Sequence, residues 1–341
     1  MKRTLKTILS ALLATVTVIT AASCSTGSKV KVNPDKEHYT VGIIQLAPHD
    51  ALDAATQGFK DALEEELRKE GRTVEFNYQN ATGDTNTCNT IVNSFISSDV
   101  DLIMANATAA LYSAYSATET IPILGTSITE YGVALGIDGF SGVVGGNTSG
   151  TSDLAPLDEQ AQMMIDTLSL TAGKKIGLVY CSAEANSVYQ VNVVKEYLTD
   201  KGMVCTEYKF SDSNDLASVV TKAGNESDAI YVPTDNTVAS NTSIIHNALA
   251  PLGIPVFAGE EATCSGCGYA TLAISYYNIG KKTGEMAAKV LLGKEDIGSM
   301  EIEYDAEPVK KYNKRICDEL GIDTAALEAA GYVMIAGTDA E

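Results

Sequence analysis

At 341 residues and 35.9 kDa the chain is long enough for about two domains, each burying its own core. Hydrophobic residues at 45% and charged residues at 20% exclude an intrinsically disordered chain and a polytopic membrane protein. With 44 Asp and Glu against 24 Lys and Arg the formal charge is -20, so diffuse attraction to nucleic acid is excluded as a binding mode. The histidines His38, His49 and His246 are too scattered for a His-rich metal site.

In chain order, residues 1–23 read as an export signal. Lys2, Arg3 and Lys6 form a basic start, an apolar run follows, and Ala21, Ala22 and Ser23 precede Cys24. That order resembles a bacterial lipoprotein signal, with Cys24 as the lipid anchor. Residues 24–38 are polar, with little to bury, and read as a tether. Of the other six cysteines only Cys264 and Cys267 are closely spaced. No second CxxC or neighbouring histidine supports zinc, and no thioredoxin-like context supports redox chemistry, so a structural role is favoured over a disulfide.

From residue 41 onward the chain repeats itself. Residues 41–46 (VGIIQL) read as a buried strand, followed by a helix-period run at 52–68, Gly71 and a second strand at 73–78. Residues 176–210 follow the same scheme, with a strand at 176–180 (IGLVY), a helix at 188–200, Gly202 and a strand at 203–210. The parallel extends from 101–108 (DLIMANAT) to 228–235 (DAIYVPTD), and from 121–125 (IPILG) to 254–258 (IPVFA). Strands alternating with helices build parallel, helix-covered sheets, so the fold class is α/β with two Rossmann-like lobes.

Residues 142–157, rich in Gly, Ser and Thr, read as the first crossing between lobes. A strand at 270–275 and a helix at 277–292 have no counterpart after the first half, so they are expected to return to the first lobe. The first lobe is therefore placed at 39–147 plus 272–294 and the second at 148–271 plus 295–341, joined by a hinge of several crossings.

Ligands of parallel α/β sheets bind beyond the carboxyl ends of the strands. That rule nominates His49, Leu52, Asp53, Thr108, Ala109 and Ser127 from the first lobe. From the second it nominates Ser182, Glu184, Asn186, Ser187, Thr234, Asp235, Asn236 and Glu260, with Tyr276 at a later strand end. The nominated loops carry hydroxyls, amides, carboxylates and an imidazole but no Lys or Arg, which disfavours a phosphate and suits a zwitterion. Asp235 or Glu260 would pair with an ammonium, Thr108 and the serines would hold a carboxylate, and Tyr180, Tyr231 and Tyr276 are candidate cleft walls. Asp53 and Asp235 also suit helix capping. The chain has no nucleophile elbow, phosphate loop, HExxH or EF-hand motif, so no catalytic residue, metal or cofactor is expected.

Several of these segments, VGIIQL with Ala51 to Asp53, Asn80-Ala81 with Gly83-Asp84, SAEANS at 182–187, VPTDN at 232–236, and Tyr276-Tyr277 with Gly280, together resemble the substrate-binding lipoproteins of ABC importers, specifically the tryptophan and tyrosine transporter subfamily. The resemblance runs from about residue 39 to 335. It implies a type I periplasmic-binding-protein fold that closes over one small ligand, an aromatic amino acid above all, and delivers it to an ABC permease. It also implies a monomer outside the cytoplasm, held to the membrane by its lipid, with no nucleic-acid partner. A lipoprotein that senses another amino acid, a sugar or a nucleoside is the alternative, and a hydrolase on this scaffold a weaker one.

Overall fold

In a computed structural model, residues 30–304 and 307–338 are described. The expected signal and Cys24 lie outside them. Thirteen strands form two sheets. The first-lobe strands are β1 (His38–Gln45), β2 (Thr73–Asn80), β3 (Leu102–Asn106), β4 (Ile123–Ile128) and β5 (Thr148–Ser152). Then come β6 (Lys175–Cys181), β7 (Val204–Phe210), β8 (Ala229–Val232), β9 (Val256–Ala258) and β10 (Ala270–Ala273). The tail adds β11 (Glu303–Tyr304), β12 (Val309–Tyr312) and β13 (Val333–Met334).

The first sheet is ordered β11-β5-β4-β3-β1-β2 and the second β13-β12-β10-β9-β8-β6-β7. Within these, β5-β4-β3-β1-β2 and β10-β9-β8-β6-β7 share one winding order, so the duplication read from the sequence is a duplication of topology. All pairings are parallel except β10 with β12. Parallel strands need crossover helices on both faces, and β1, β3, β4 and β8 are correspondingly apolar and buried on both. Each lobe has two cores, one per sheet face.

Strand β5 corrects the expected boundary. Its sequence TSGTS carries no apolar side chain and reads as linker, yet all five residues are buried in the first sheet. Burial is tolerated because the hydroxyls find partners: Ser149 Oγ donates to Met300 O at 3.2 Å, Ser152 Oγ to Thr129 O at 2.9 Å, and Thr151 Oγ1 meets Thr283 Oγ1 at 2.8 Å. Gly150 is obligatory, since a Cβ there would stand 2.1 Å from Gly125 O. The first lobe thus runs through residue 152 and not 147.

Two further boundaries move. β10 stays in the second sheet, so the return to the first lobe begins after Ala273, at Ile274 and Ser275. The tail does not go directly to the second lobe, because β11 pairs with β5 before the chain crosses again ahead of β12. Three crossings therefore connect the lobes. The helix Tyr276–Leu291 packs on the helix Asp50–Lys69 of the first lobe. Glycine brings the backbones together: a Cβ on Gly280 would lie 1.9 Å from Ala55 O, and one on Gly58 2.1 Å from Tyr277 O.

The tether expectation also changes at its end. Val30 and Val32 pack against the first-lobe core, Lys31 N donates to Thr120 O at 2.7 Å, and Tyr39 Oη donates to Leu291 O at 3.0 Å. Two apolar side chains at alternate positions suffice to dock residues 30–38 on the lobe.

Candidate functional site

The carboxyl ends of both sheets face each other across a cleft. Deep within it lies a small chamber of about 10 Å³, walled by His49, Leu52, Ser127, Thr129 and Asp153 from one side and Asn186, Thr234, Asp235, Asn236, Ala239 and Glu260 from the other, with Tyr276 beside the hinge. Asn186 and Asn236 also border a larger cleft of about 690 Å³, whose other walls include Leu46, Thr108, Ala109, Tyr112, Ala134 and Glu184. A third space of about 280 Å³ lies on the hinge side, behind Glu260 and Tyr276. No Lys or Arg lines the chamber or the larger cleft.

The acidic side chains divide by what their oxygens do. Asp235 caps the short helix Asn236–Ala239, with Oδ1 accepting from Val238 N at 2.9 Å, and its Oδ2 accepts from Cys181 N at 2.7 Å. Both oxygens are spent on backbone. Burial, with the Glu184 charge nearby, nevertheless raises its pKa. Glu260 likewise caps the helix Glu261–Cys267 by accepting from Ala262 N at 2.6 Å and from Thr263 N. Glu184 accepts from Asn236 N at 3.0 Å, Asn236 Nδ2 at 2.6 Å, Thr237 N at 2.9 Å and Thr237 Oγ1 at 2.8 Å, closing the same short helix start.

Asp153 differs. It follows β5 at the first crossing, is 5% exposed, and its Oδ2 accepts from Tyr276 Oη at 2.8 Å. Its Oδ1 is buried with no hydrogen-bond partner among the described residues. Burial pushes the carboxyl up to about 6, the Tyr276 and Thr129 hydroxyls work against that rise, and Glu260 adds to it.

Two more buried polar atoms of the chamber have no hydrogen-bond partner among the described residues, His49 Nδ1 and Ser127 Oγ. Ser127 adopts φ +57, a conformation that serine rarely takes, within β4 where the pairing with β5 shifts register between Gly125 and Ile128. His49 precedes the helix Asp50–Lys69, and its Nε2 lies 3.2 Å from Asn236 Oδ1 across the lobes. Because the Asn236 amide nitrogen is engaged by Glu184, its oxygen faces the ring, so His49 Nε2 is the donor and Nδ1 presents a lone pair.

The other nominated residues sort plainly. Thr108 and Ala109 open the helix Thr108–Ala117 on the larger cleft. Asp53 is exposed and accepts from Gln45 Nε2 at 2.6 Å, so it ties helix to strand and lines neither space. Ser182 donates to Phe210 O at 3.0 Å and Ser187 to Thr234 O at 3.5 Å, and neither reaches the chamber or the larger cleft. Of the tyrosines, Tyr180 donates to Glu207 at 2.7 Å and Tyr231 to Gln160 at 2.9 Å within the second lobe, so Tyr276 alone of those three borders the chamber. Sequence reasoning missed Asp153, Thr129 and Tyr112. Recognition of β5 as a strand nominates Asp153 by the same strand-end rule. Cys264 and Cys267 are buried free thiols, pushed up by burial, each donating to a backbone carbonyl.

This geometry, two like-wound lobes with a cleft between their strand ends, is that of type I periplasmic binding proteins. The profile of the family described as ABC transporter substrate binding protein matches residues 40–329. The chain belongs to that family. Its members bind a small-molecule ligand outside the cytoplasm and work with an ABC permease. A tyrosine-binding protein of Clostridioides difficile is 35% identical over 283 residues, 82% of this chain and 81% of the relative. An ABC domain from Streptococcus pneumoniae in complex with L-Trp superposes with a TM-score of 0.80 at 29% identity, covering 87% of this chain and 100% of the other. A ligand-free, open substrate-binding protein from Clostridium difficile, with adhesive properties, gives 0.65 at 34% identity over 87% and 99%. Among the described residues no helix is long and apolar enough to cross a membrane, and no group of side chains is set to hold a metal ion.

Proposed function

We propose that the protein captures a single aromatic amino acid between its lobes and presents it, chemically unchanged, to an ABC permease. One observation carries this reading: the enclosed chamber and the adjoining cleft offer carboxylates, hydroxyls, amides and an imidazole without any cationic side chain. A polyanion would meet repulsion there, whereas an ammonium finds acceptors. The ligand carboxylate would lie toward Thr108, where first-turn amides of the helix Thr108–Ala117 lack intrahelical partners. The larger cleft, within the usual volume for small-ligand sites, has room for a ring beside Tyr112. The tyrosine-binding description of one relative and the L-Trp held by another support the aromatic class.

Closure follows from the crossings. A ligand first held by one lobe gains further contacts only when the other closes, and it shifts the population toward the closed form by that difference. In this reading the mature chain is a monomeric lipoprotein joined to the membrane through Cys24. The chain contains no Trp, so indole emission from a mixture reports the ligand alone. Titration with L-tryptophan, L-tyrosine and L-phenylalanine against leucine, glucose and adenosine tests the class. Tighter binding of any of the latter three overturns the aromatic assignment.

A further inference from the structure

The duplicated winding sets two helix starts against each other across the cleft. His49 is the residue before the helix that follows β1, and Glu184 the residue before the helix Ala185–Asp200 that follows β6. A polar side chain at that position ordinarily turns onto the first amides of its own helix, as Glu130 and Glu260 do in this chain. Neither His49 nor Glu184 does so. Both converge instead on Asn236, at the start of a third helix.

Asn236 is matched to the pair, because its amide has a donating end and an accepting end. Nδ2 donates to Glu184 Oε2 at 2.6 Å, which turns Oδ1 toward the first lobe, where His49 Nε2 stands 3.2 Å away. Glu184 imposes that direction because both of its oxygens accept. Oε2 also takes Asn236 N at 3.0 Å and Asn186 Nδ2 at 3.2 Å, and Oε1 takes Thr237 N at 2.9 Å and Thr237 Oγ1 at 2.8 Å. A carboxamide at 184 would set an N–H against some of those donors.

We propose that His49, Asn236 and Glu184 form a directional latch between the lobes that lengthens the stay of a captured ligand, with Glu184 as its positioning residue. The latch rests on the two-lobed binding reading above, whatever the ligand. Glu184 spends its oxygens inside the second lobe and fixes the amide so that its accepting end meets His49. Asp235 completes the fixture, since its cap on Val238 N ties down the third amide of the same short helix. The contact forms when the lobes meet and breaks when they part, so it enters the rate at which the cleft reopens and not the rate of first encounter.

The test follows release of L-tryptophan by stopped-flow indole emission, which this chain without Trp leaves unobscured. Loss of one net hydrogen bond should speed release roughly 2- to 12-fold in His49→Phe and in Glu184→Gln, with association unchanged within about twofold. No hydrogen bond joins His49 to Glu184, so independent actions would multiply. Action through the latch means that Glu184→Gln adds less than about twofold in a His49→Phe background. Multiplied effects, or release from Glu184→Gln at the wild-type rate, overturn the proposal. Adding Asn236→Asp to Glu184→Gln reverses the polarity of their bond and keeps an oxygen facing His49, so release should slow again; failure to slow overturns the directional part. With three histidines in the chain, imidazole ¹⁵N spectra give a second readout. At about pH 8, where imidazoles are neutral, His49 should carry its proton on Nε2 in the wild type and shift it toward Nδ1 in Glu184→Gln, whose Asn236 amide is free to turn its nitrogen to the ring. Retention of the wild-type tautomer overturns the positioning role. The spectra need no ligand, so failure of every aromatic amino acid to bind would sink the ligand class and leave the latch to be judged by the tautomer.

Discussion

Asp153 and Asp235 occupy opposite walls of one chamber, each just beyond the carboxyl end of a buried parallel strand, and their surroundings give them different work. Both are buried and both are held above the usual carboxylate range by desolvation. At Asp235 the loop after β8 spends both oxygens on Val238 N and Cys181 N, which fixes a helix start to a strand end. At Asp153 the crossing after β5 spends one oxygen on Tyr276 and leaves the other without a hydrogen-bond partner among the described residues. A buried carboxylate saturated by backbone N–H groups is architecture, and one with an orphaned oxygen is a site.

Substitution should drive the two positions apart. Asp235→Ala removes a cap and orphans the buried Cys181 N–H, which together should cost about 2 to 4 kcal/mol of unfolding free energy with little change in discrimination between amine and deamino ligands. Asp153→Asn removes an ionised group that folding has to bury. From a carboxyl pushed up to about 6, the free protein should gain on the order of 3 kcal/mol at pH 7 while losing the ligand. Urea unfolding of the two variants checks the signs. Destabilisation of both, with equal loss of binding, would erase the distinction.

The same contrast has a pH signature. The folded pKa of Asp153 lies above its unfolded value, so the protonated form is favoured by folding. Its cost to stability is absent below about pH 4, grows as pH rises, and is complete above about pH 6. The stability gap between wild type and Asp153→Asn should accordingly open across that window and be flat above it. Ligand binding runs the other way, because an amine needs the ionised carboxylate: affinity of the wild type for L-tyrosine should fall about tenfold per unit below pH 6. An equal slope in Asp153→Asn would assign the titration to another group.

Much of the fold was legible because it was written twice. Short apolar strands, Gly-ended helices and the two Ile-Pro strand starts recur at matching places, and parallel α/β topology follows from that alternation. What was not legible is β5, since Thr148, Ser149, Thr151 and Ser152 look like solvated linker until their hydroxyl partners on Met300, Thr129 and Thr283 are in place. Losing that strand moved the lobe boundary by five residues and hid Asp153. Of the residues that the strand-end rule nominated, His49, Leu52, Ser127, Asn186, Thr234, Asp235, Asn236, Glu260 and Tyr276 border the chamber. It could not tell a free side chain from an engaged one. Ser182, Glu184 and Asp235 are drawn off by Phe210 O, the Asn236 and Thr237 groups, and two backbone amides, and those partners come from segments 28 to 54 residues away, or from the next helical turn.

The smallest expected effect separates the chamber from the larger cleft. If charge is recognised in the former and the ring in the latter, each can be weakened with the other left intact. Tyr112 projects from the helix Thr108–Ala117 into the larger cleft, is 52% exposed, and carries the one aromatic ring among that cleft's lining residues. An aromatic contact adds about 0.5 to 1.5 kcal/mol beyond buried area, so Tyr112→Ala should weaken L-tryptophan by roughly 2- to 12-fold. Half-exposure places Tyr112 outside the cores, so unfolding free energy should move by less than about 0.5 kcal/mol. The ratio of L-tyrosine to its deamino analogue should stay as in the wild type, because the amine does not touch this wall. Titration of the variant with L-tryptophan and L-leucine reads the difference directly: the aromatic ligand should lose affinity and the aliphatic one should not. Equal losses for both would mean that Tyr112 shapes the cleft without facing the ring, and the ring would then have to be sought in the hinge-side space behind Glu260 and Tyr276.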